Sequence, residues 1–587
     1  MAELGWIGGI VVANVSIVIL VSVAERSGDG RTLHRLRENG KGGYTSDLVQ
    51  RRIDANGGAI AFVDDFTAWV ASPTAQLNRD KLQAIIDSAL DWERRSGATL
   101  EADKTAIIHF TKTAKKLSHD PFTIKGRDIH PKDHVKILGV IMDRRLKYKQ
   151  HIARAASKGL EAALELTRLK GLSTAAARRL FSASVAPVVD YASNTWMHAY
   201  RYRNMAPINR VQRVGAQAIV GTFLSVATSI AEIEASIPTA RERFWKRAIK
   251  LWVDIHTLPK TNPLHRITSR VRKLYHCNRS PFHQVACRLK DVPLEELESI
   301  QPFALAPWEN RVQAFNYENA SKETEAKWDI RVAVSSSARN GVVGVGGVVR
   351  GTPFVDGNAT SQEFSFTLGL RTEQNPYSGE LAATAHALNI LPDVSHRRIA
   401  LLTTNKAVAL SLRNPRQQSG QEYIRHTYKG LSKLWRYGNG LLVFWIPSSG
   451  ENDLLQLAKR EARQATKEGA VPQKRFPRMK STTLNLEKEK LNGERSLPDG
   501  VGKHSKRVDA ALPGQHTRQL YDNRPWIERN ILAQMRTDMT RLNNSLYRIH
   551  AAPSRHCACG HEQETVAHFL FSMHKMGRTS NKDAPMH

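Results

Sequence analysis

Asp64 and Asp65 are adjacent carboxylates between two apolar runs, in the segment AFVDDFTAWV. The flanking runs predict two strands, so the pair falls at the tight turn between them. Carboxylates that converge on two divalent ions can align an attacking hydroxyl and stabilise a leaving pyrophosphate, and Mg²⁺ suits them. A surface turn without function is the alternative for an isolated pair of aspartates. The pattern makes Asp64 and Asp65 candidate catalytic and Mg²⁺-binding residues.

A second group of potential ligands lies near the C-terminus, in CACGHEQETVAHFLFSM. Cys557 and Cys559 place two thiolates close together, and His568 adds an imidazole nine residues after the second. Thiolates and imidazoles suit Zn²⁺, which takes four such ligands in a structural site. His561 or His574 is available as the fourth. The alternative is a pair of reduced cysteines in a small helical tail.

The charge balance of the chain favours a polyanionic partner. The sequence has 86 Lys and Arg against 55 Asp and Glu, a formal net charge of +31. Nucleic acid (RNA, DNA or an RNA/DNA hybrid) is the natural candidate, and positive charge confined to disordered tails is the alternative. Only four cysteines occur in 587 residues, which argues against a secreted disulfide framework and for an intracellular location, nucleus or cytoplasm. The sequence does not indicate an oligomeric state.

The stretch from Gly5 to Ala24, GWIGGIVVANVSIVILVSVA, has no charged residue and is about as long as a membrane-spanning helix. It is therefore a candidate membrane span. Asn14, Ser16 and Ser22 dilute its apolar character, and no basic start of the kind found in signal peptides precedes it. A buried strand or helix, or non-native sequence ahead of a truncated reading frame, are the alternatives.

Periodicity and composition predict a multidomain protein of α+β and α/β class. Helical periodicity follows the aspartate pair, an alternating run at 330–349 predicts a hairpin, and residues 466–514 are rich in charged and small residues. We expect an apolar segment and polar linker at 1–58, an α+β module at 59–150, a helical module at 151–258, a linker at 259–327, a mixed sheet with flanking helices at 328–465, a disordered linker at 466–514 and a basic helical tail at 515–587.

The order of three motifs carries a resemblance to a known family. AFVDDFTAWV is followed by HVKILGVIMDRRLKYKQHI and RRLFSASVAPVVDYASNTW. This succession is similar to the palm and thumb of reverse transcriptases from non-LTR (LINE-type) retrotransposons of filamentous fungi, over about residues 59–225. The resemblance implies that Asp64 and Asp65 bind the catalytic Mg²⁺ ions. It also implies nucleic-acid contacts by Lys104, in the following palm strand, and by a primer-grip turn at Leu138 and Gly139, where glycine permits close backbone approach.

The sequence departs from that family at one essential position. The family has a further aspartate on an earlier palm strand, whereas Asp29, Asp47 and Asp54 lie in polar sequence and follow no strand-like run. Two metal ligands without the third are expected to bind ions weakly and to position a nucleotide poorly. The chain thus resembles an N-terminally truncated and degenerate member, with impaired polymerase activity.

Residues 328–465 resemble type-1 ribonuclease H in its fungal retrotransposon form, through SSSARNGVVGVGG, PYSGELAATAHAL, IALLTTNKAVALSL and WIPSSGENDLLQLAKREA. The family uses four carboxylates to hold two ions at the scissile phosphate. The matching positions here are Ser335, Glu380, Asn405 and either Leu455 or Gln456, and Ser449 stands where a histidine is usual. One carboxylate of four remains, so hydrolysis is expected to be negligible although the fold is expected to persist.

The C-terminal cluster also fits the retrotransposon resemblance. The family carries a zinc knuckle after its ribonuclease H region, closed by a cysteine where this chain has Met573. The preceding basic segment contains Tyr521, Trp526 and Tyr547, which are consistent with base stacking and equally with a helix core.

These observations predict a remnant of a retrotransposon reverse transcriptase with a ribonuclease-H-like domain, which binds nucleic acid without competent catalysis. The first alternative is an active RNA-directed DNA polymerase or RNA/DNA-hybrid ribonuclease that uses Mg²⁺. The second is a membrane-tethered interaction protein, which rests on residues 5–24 alone.

Overall fold

The structure is a computed structural model, and it divides the chain into two units. The first comprises Met1–Ala248, Asn278–Gln284 and Arg495–His587, and the second Ile249–Cys277 and Val285–Glu494. The described residues are 15–25, 46–49, 57–62, 65–96, 98–111, 118–199, 205–273, 280–301, 305–306, 308–316, 328–351, 361–447, 452–472 and 474–572.

Strands are found in both units. Those of the first unit are β1 (Val15–Glu25), β2 (Gly58–Phe62), β3 (Asp65–Ser72), β4 (Ala98–Phe110), β5 (Phe122–Ile124), β6 (Arg127–Ile129), β7 (His134–Ile137) and β8 (Val140–Asp143). Those of the second unit are β9 (Gln313–Asn316), β10 (Ile330–Arg339), β11 (Val342–Gly351), β12 (Ser361–Leu370), β13 (Arg398–Thr403) and β14 (Gly440–Trp445).

Helices account for most of the remaining described residues. Up to residue 288 they are α1 (Ser46–Val49), α2 (Ala75–Ser96), α3 (Lys149–Arg168), α4 (Thr174–Leu180), α5 (Ala186–Val189), α6 (Ser193–Trp196), α7 (Ala206–Val220), α8 (Thr228–Glu234), α9 (Ala240–His256), α10 (Pro263–Lys273) and α11 (Pro281–Arg288). Beyond it they are α12 (Pro376–Asn389), α13 (Lys406–Arg413), α14 (Gln421–Arg436), α15 (Asp453–Gln464), α16 (Lys480–Gly493), α17 (Lys503–Val508), α18 (His516–Tyr521), α19 (Trp526–Thr537), α20 (Asn543–Arg548) and α21 (Val566–Phe571).

The first unit contains a four-stranded antiparallel sheet in the order β2-β3-β1-β4. Strand β3, the second in that order, begins at Asp65. Helix α2 packs its buried face, with Leu82 and Ile86, into the core beside the sheet. The two strands predicted on either side of the aspartate pair and the helical periodicity predicted after it are therefore confirmed. Helices α3 to α9 follow, which agrees with the predicted helical module.

The apolar N-terminal stretch contributes strand β1 to this sheet, where it lies between β3 and β4. Six of the eleven residues of β1 are valine or isoleucine, which explains the preference, because β-branched side chains favour extended backbone. None of the helices in the described part of the chain combines the length and the apolar character that crossing a membrane requires. The predicted membrane helix is thus replaced, from residue 15 onward, by a strand, and residues 5–14 lie outside the described residues.

The second unit contains a six-stranded mixed sheet in the order β12-β11-β10-β13-β14-β9. Strand β11 pairs antiparallel with both β12 and β10. The remaining neighbours, from β10 through β13 and β14 to β9, pair parallel. The hairpin predicted at 330–349 is confirmed, and the motif IALLTTNKAVALSL forms the strand β13 and the helix α13. The expected mixed sheet with flanking helices is therefore present.

Helix α15 lies directly against β11, and glycine makes this approach possible. A Cβ atom at Gly344 would lie 2.4 Å from the Ala462 carbonyl oxygen, and one at Gly346 would lie 2.1 Å from the Ala462 amide nitrogen. Both neighbours are backbone atoms, which cannot rotate away. The glycines of GVVGVGGVV therefore fix the position of α15 on the sheet.

Two predicted linkers are wrong in the described residues. The segment 259–327 contains α10, α11 and β9, and the segment 466–514 contains α16 and α17. Glu298, 4 % exposed, ties the two segments together because its carboxylate accepts hydrogen bonds from the amides of Gly420 (2.7 Å) and Lys480 (2.8 Å). A polar composition was consistent with disorder, but a few buried contacts of this kind suffice to order the backbone.

Candidate functional site

Glu380, the acid that the ribonuclease H resemblance singles out, is buried. It lies in the second turn of α12, whose N-terminus is capped by the side chain of Asn375. Its carboxylate accepts hydrogen bonds from the hydroxyls of Thr403 and Thr404, the second at 3.3 Å. Burial raises the pKa of Glu380 to about 7, against the opposing effect of these hydrogen bonds. The sequence did not identify the two threonines as its partners.

The other positions matched to the family's acids carry no charge. Ser335 is buried on β10, one residue beyond Val334, whose register partner on β13 is Thr403. The Asn405 side-chain oxygen accepts hydrogen bonds from the amides of Ala407 (3.1 Å) and Val408 (3.4 Å). This oxygen caps the N-terminus of α13 and is therefore already engaged by two backbone amides.

The last acid position is also uncharged. Leu455 is buried in α15, and its neighbour Gln456 is exposed. Ser449, which stands in place of the histidine, lies outside the described residues. One buried carboxyl group does not fit a pair of Mg²⁺ ions, which need several charged oxygen ligands. The described residues around Glu380 therefore offer no competent two-metal site.

The aspartate pair of the first unit is only partly described. Asp65 is half-buried and begins β3, at the hairpin with β2, whereas Asp64 lies outside the described residues. The register partner of Asp65 on β1 is Ser22, and the only carboxylate of that strand, Glu25, is paired with Ala98 of β4 instead. The register position beside Asp65 on β1 is thus occupied by serine, which has no carboxylate.

Lys104 and the Leu138–Gly139 turn are separate features of the first unit. Lys104 is exposed and forms an ion pair with Glu101, with a Nζ–Oε2 distance of 2.7 Å. Leu138 and Gly139 form the predicted turn between β7 and β8, with φ angles of 43° and 84°. The Tyr191 hydroxyl donates to the Leu138 carbonyl oxygen at 2.7 Å, and its ring would lie 3.1 Å from a Cβ atom at Gly139. Tyr191 fixes this turn and was not identified from the sequence.

Cys557, Cys559 and His568 come together as predicted. Their ligand atoms all lie within 4.8 Å of one another, and Cys559 Sγ is 3.1 Å from His568 Nε2. A tetrahedral Zn²⁺ site separates such atoms by about 3.5 to 3.8 Å, so small shifts would complete the geometry. Gly560, with φ of 91°, closes the turn, because its amide donates a hydrogen bond to the Cys557 carbonyl oxygen at 2.9 Å.

His561 lies beside these three residues. Its ring stacks on the His568 ring with centroids 4.1 Å apart, and its Nδ1 is 3.1 Å from the Gln563 carbonyl oxygen. In the tautomer that donates from Nδ1 to this oxygen, Nε2 is unprotonated and is the nitrogen that could bind a metal. Met573 and His574 lie outside the described residues. The donor set fits Zn²⁺, whose contribution here would be structural.

We expect the chain to bind about one Zn²⁺ ion through this cluster, because two thiolates and an imidazole converge on it. Cys559→Ser should abolish the thiolate-to-metal charge-transfer absorption of the Co²⁺-substituted protein. Cys287→Ser is the matched control, since Cys287 is exposed and belongs to the second unit. Equal Co²⁺ spectra for the wild type and Cys559→Ser would refute the site.

The aromatic residues of the basic tail do not share one environment. Tyr521 is fully buried, and its hydroxyl donates to Glu234 at 2.6 Å. It therefore belongs to the core of the first unit and is not available for base stacking. Trp526 and Tyr547 are 45 % and 47 % exposed.

Comparisons with known proteins give a limited result. No protein-family model matches the chain, and neither does any curated protein. Similar solved structures include ribonuclease H1 from Halobacterium salinarum NRC-1 (17 % identity, 24 % of this chain and 98 % of that chain, TM-score 0.19). The N-terminal RNase H domain of a Mycobacterium tuberculosis protein gives 16 % identity over 24 % of this chain and 100 % of that chain, with a TM-score of 0.20. LC11-RNase H1, solved in complex with an RNA/DNA hybrid, gives 16 % identity over 23 % of this chain and 98 % of that chain, with a TM-score of 0.18.

Proposed function

We propose that this chain is a nucleic-acid-binding remnant of a non-LTR retrotransposon reverse transcriptase, with a ribonuclease-H-like domain and impaired catalysis. The single observation that carries the proposal is the state of the positions matched to the ribonuclease acids. Ser335, the helix-capping Asn405 and either Leu455 or Gln456 stand there, and Glu380 alone retains a carboxyl group.

The architecture of the second unit supports the ribonuclease-H-like part. The hairpin β10–β11, the helix α12 with Glu380, the strand β13 with Thr403 and the helix α15 follow the order of the motifs that carry the resemblance. Parallel pairing of β10 with β13 brings Ser335 and Thr403 to adjacent register positions, where the family's acids would converge. The folded framework is therefore retained while the charges are replaced, as expected where a fold outlasts its chemistry.

The first unit supports the reverse-transcriptase part more indirectly. Asp65 begins a hairpin strand of an antiparallel sheet, and a left-handed turn at Leu138–Gly139 follows it in the chain. Ser22 at the register position beside Asp65 brings no negative charge. A polymerase site of this kind would hold its metal ions with too few ligands, so nucleotide addition should fail while contacts to the phosphate backbone persist.

Primer extension tests the polymerase part. The full chain with Mg²⁺, nucleotides and a labelled primed RNA template should give no extension above a blank without protein. Its affinity for the same primed template should fall steeply with salt concentration, because a phosphate-driven complex releases counterions. Extension that requires Mg²⁺ and disappears in Asp65→Ala would refute the loss of catalysis. Absence of salt-dependent binding would refute the association with nucleic acid.

A further inference from the structure

Helix α14 (Gln421–Arg436) carries a row of basic side chains on its outer side. The row consists of Arg425, Lys429, Lys433 and Arg436 and is called the basic ridge below. Its members are three or four residues apart and therefore share one face of the helix. The opposite face, with Ile424, Leu431 and Leu434, is buried in the core of the second unit. The ridge thus arises from the amphipathic pattern of a single helix.

The ridge keeps an excess of positive charge. Lys433 Nζ bonds to Asp393 at 2.5 Å, and Arg425 donates to the Gln301 carbonyl oxygen at 3.0 Å. Within the described part of the chain, no carboxylate forms an ion pair with Lys429 or Arg436, and both side chains belong to exposed residues. These two cations are therefore available to an external anion.

A cavity of about 270 Å³ adjoins the ridge. Its lining includes Asn389, Asp393, His426, Lys429 and Tyr437. Tyr437 follows the last residue of α14 and is 51 % exposed, so an aromatic face lies next to the cationic groups. Basic groups that follow a backbone, combined with an exposed aromatic ring on which a base can stack, are the usual means of binding single-stranded nucleic acid.

The cavity and Glu380 lie at different ends of α12. Glu380 is in the second turn of the helix, and Leu388 and Asn389, at its C-terminus, line the cavity. Nine residues of helix separate Glu380 from Asn389, which corresponds to about 13 Å along the axis. Binding at the ridge therefore does not depend on the residues of the altered acid site.

We propose that the basic ridge and its cavity bind a single-stranded segment of nucleic acid, with backbone phosphates at Lys429 and Arg436 and a base on Tyr437. The proposal rests on the part of the proposed function that assigns nucleic-acid binding to the chain, and it names the surface. Lys429 and Arg436 are seven residues apart in α14, which corresponds to about 10 Å along the helix axis and to about three phosphate spacings of one strand.

Charge reversal with a matched control tests the ridge. The probe is a labelled 20-residue oligouridylate, and its binding to the full chain is followed by fluorescence anisotropy at several salt concentrations. Lys429→Glu with Arg436→Glu should weaken binding by at least about tenfold and reduce the slope of log affinity against log salt by about 1.4, because two phosphate contacts to a single strand are lost. Lys467→Glu with Lys488→Glu changes two exposed lysines of the same unit by the same total charge and should weaken binding by about twofold at most.

A second variant separates single strands from duplexes. Tyr437→Ala should weaken oligouridylate binding by about tenfold, since stacking contributes that order of affinity per base, and should leave the affinity for a blunt RNA duplex unchanged. Equal losses in the two charge-reversal variants, or equal effects of Tyr437→Ala on both probes, would overturn the ridge proposal alone. Failure of the wild-type chain to bind any nucleic acid would overturn the proposed function as well.

Discussion

Replacement of Arg536 by alanine is expected to lower the free energy of unfolding of the first unit by about 3 to 5 kcal/mol, the usual effect of breaking a buried ion pair. Arg536 Nε lies 2.8 Å from Glu234 Oε2, and Arg536 Nη2 lies 2.8 Å from Asp509 Oδ2. Glu234 is fully buried, so the substitution would leave its carboxylate with the Tyr521 hydroxyl as its remaining hydrogen-bond donor. The loss would be measured by urea unfolding followed by circular dichroism.

An exposed ion pair of the same unit provides the control. Arg548 Nη1 lies 2.7 Å from Asp538 Oδ2, but the Arg548 side chain is 47 % exposed. Water screens this pair, so Arg548→Ala should lower the free energy of unfolding by about 1 kcal/mol at most. Similar losses in the two variants would contradict the assignment of Arg536 to the core.

The ion pairs of Arg536 connect distant parts of the chain. Asp509 and Arg536 belong to the C-terminal segment, whereas Glu234 ends helix α8, more than 270 residues earlier in the chain. A second, partly buried pair, Arg178 with Asp522 at 2.6 Å, also links the helical module to the C-terminal segment. The C-terminal segment is therefore an integral part of the first unit, and its removal should destabilise the helical module.

The free energy of unfolding of the second unit is expected to depend on pH differently in Glu380→Gln and in the wild type. The difference, variant minus wild type, should be about 3 kcal/mol larger at pH 8 than at pH 4.5. Burial raises the pKa of Glu380 from 4.5 to about 7 in the folded chain. The folded state therefore holds the proton more tightly than the unfolded state. This contribution to stability is complete below pH 4.5 and is lost as the pH rises through about 7.

The measurement is the unfolding midpoint of wild type and variant between pH 4.5 and pH 8. Glu422→Gln serves as the control, because Glu422 is exposed in the same unit. Glu232, in the first unit, also has a pKa raised to about 7 by burial, so part of the wild-type pH dependence should remain in Glu380→Gln. A pH profile of Glu380→Gln that parallels the wild type would show that Glu380 ionises normally.

The elements of the second unit were predictable because local and tertiary preferences agree there. Alternating β-branched residues in IRVAVSSSAR predict a half-buried strand, and the structure shows one at Ile330–Arg339. The identity of the altered acid positions also followed from the sequence. The engagement of Asn405 as a helix cap did not, because that role depends on where β13 ends and α13 begins.

Other features could not be derived from sequence, since they depend on distant contacts. The apolar residues of β1 suit a membrane helix and a buried strand equally, and pairing with β3 and β4 decides between the two. The sequence around Tyr521 is basic and is consistent with a base-stacking role. In the structure its hydroxyl donates a hydrogen bond to Glu234, which is distant in the chain. Tyr191 and Thr403 acquire their roles in the same way.

Cleavage of a labelled RNA/DNA hybrid by the purified full chain in the presence of Mg²⁺ tests the central claim most directly. We expect no Mg²⁺-dependent product above the blank, and the same result for Glu380→Ala, because Ser335, Asn405 and Leu455 supply no charge to hold the ions. Multiple turnovers by the wild-type chain that require Mg²⁺ and vanish in Glu380→Ala would contradict it.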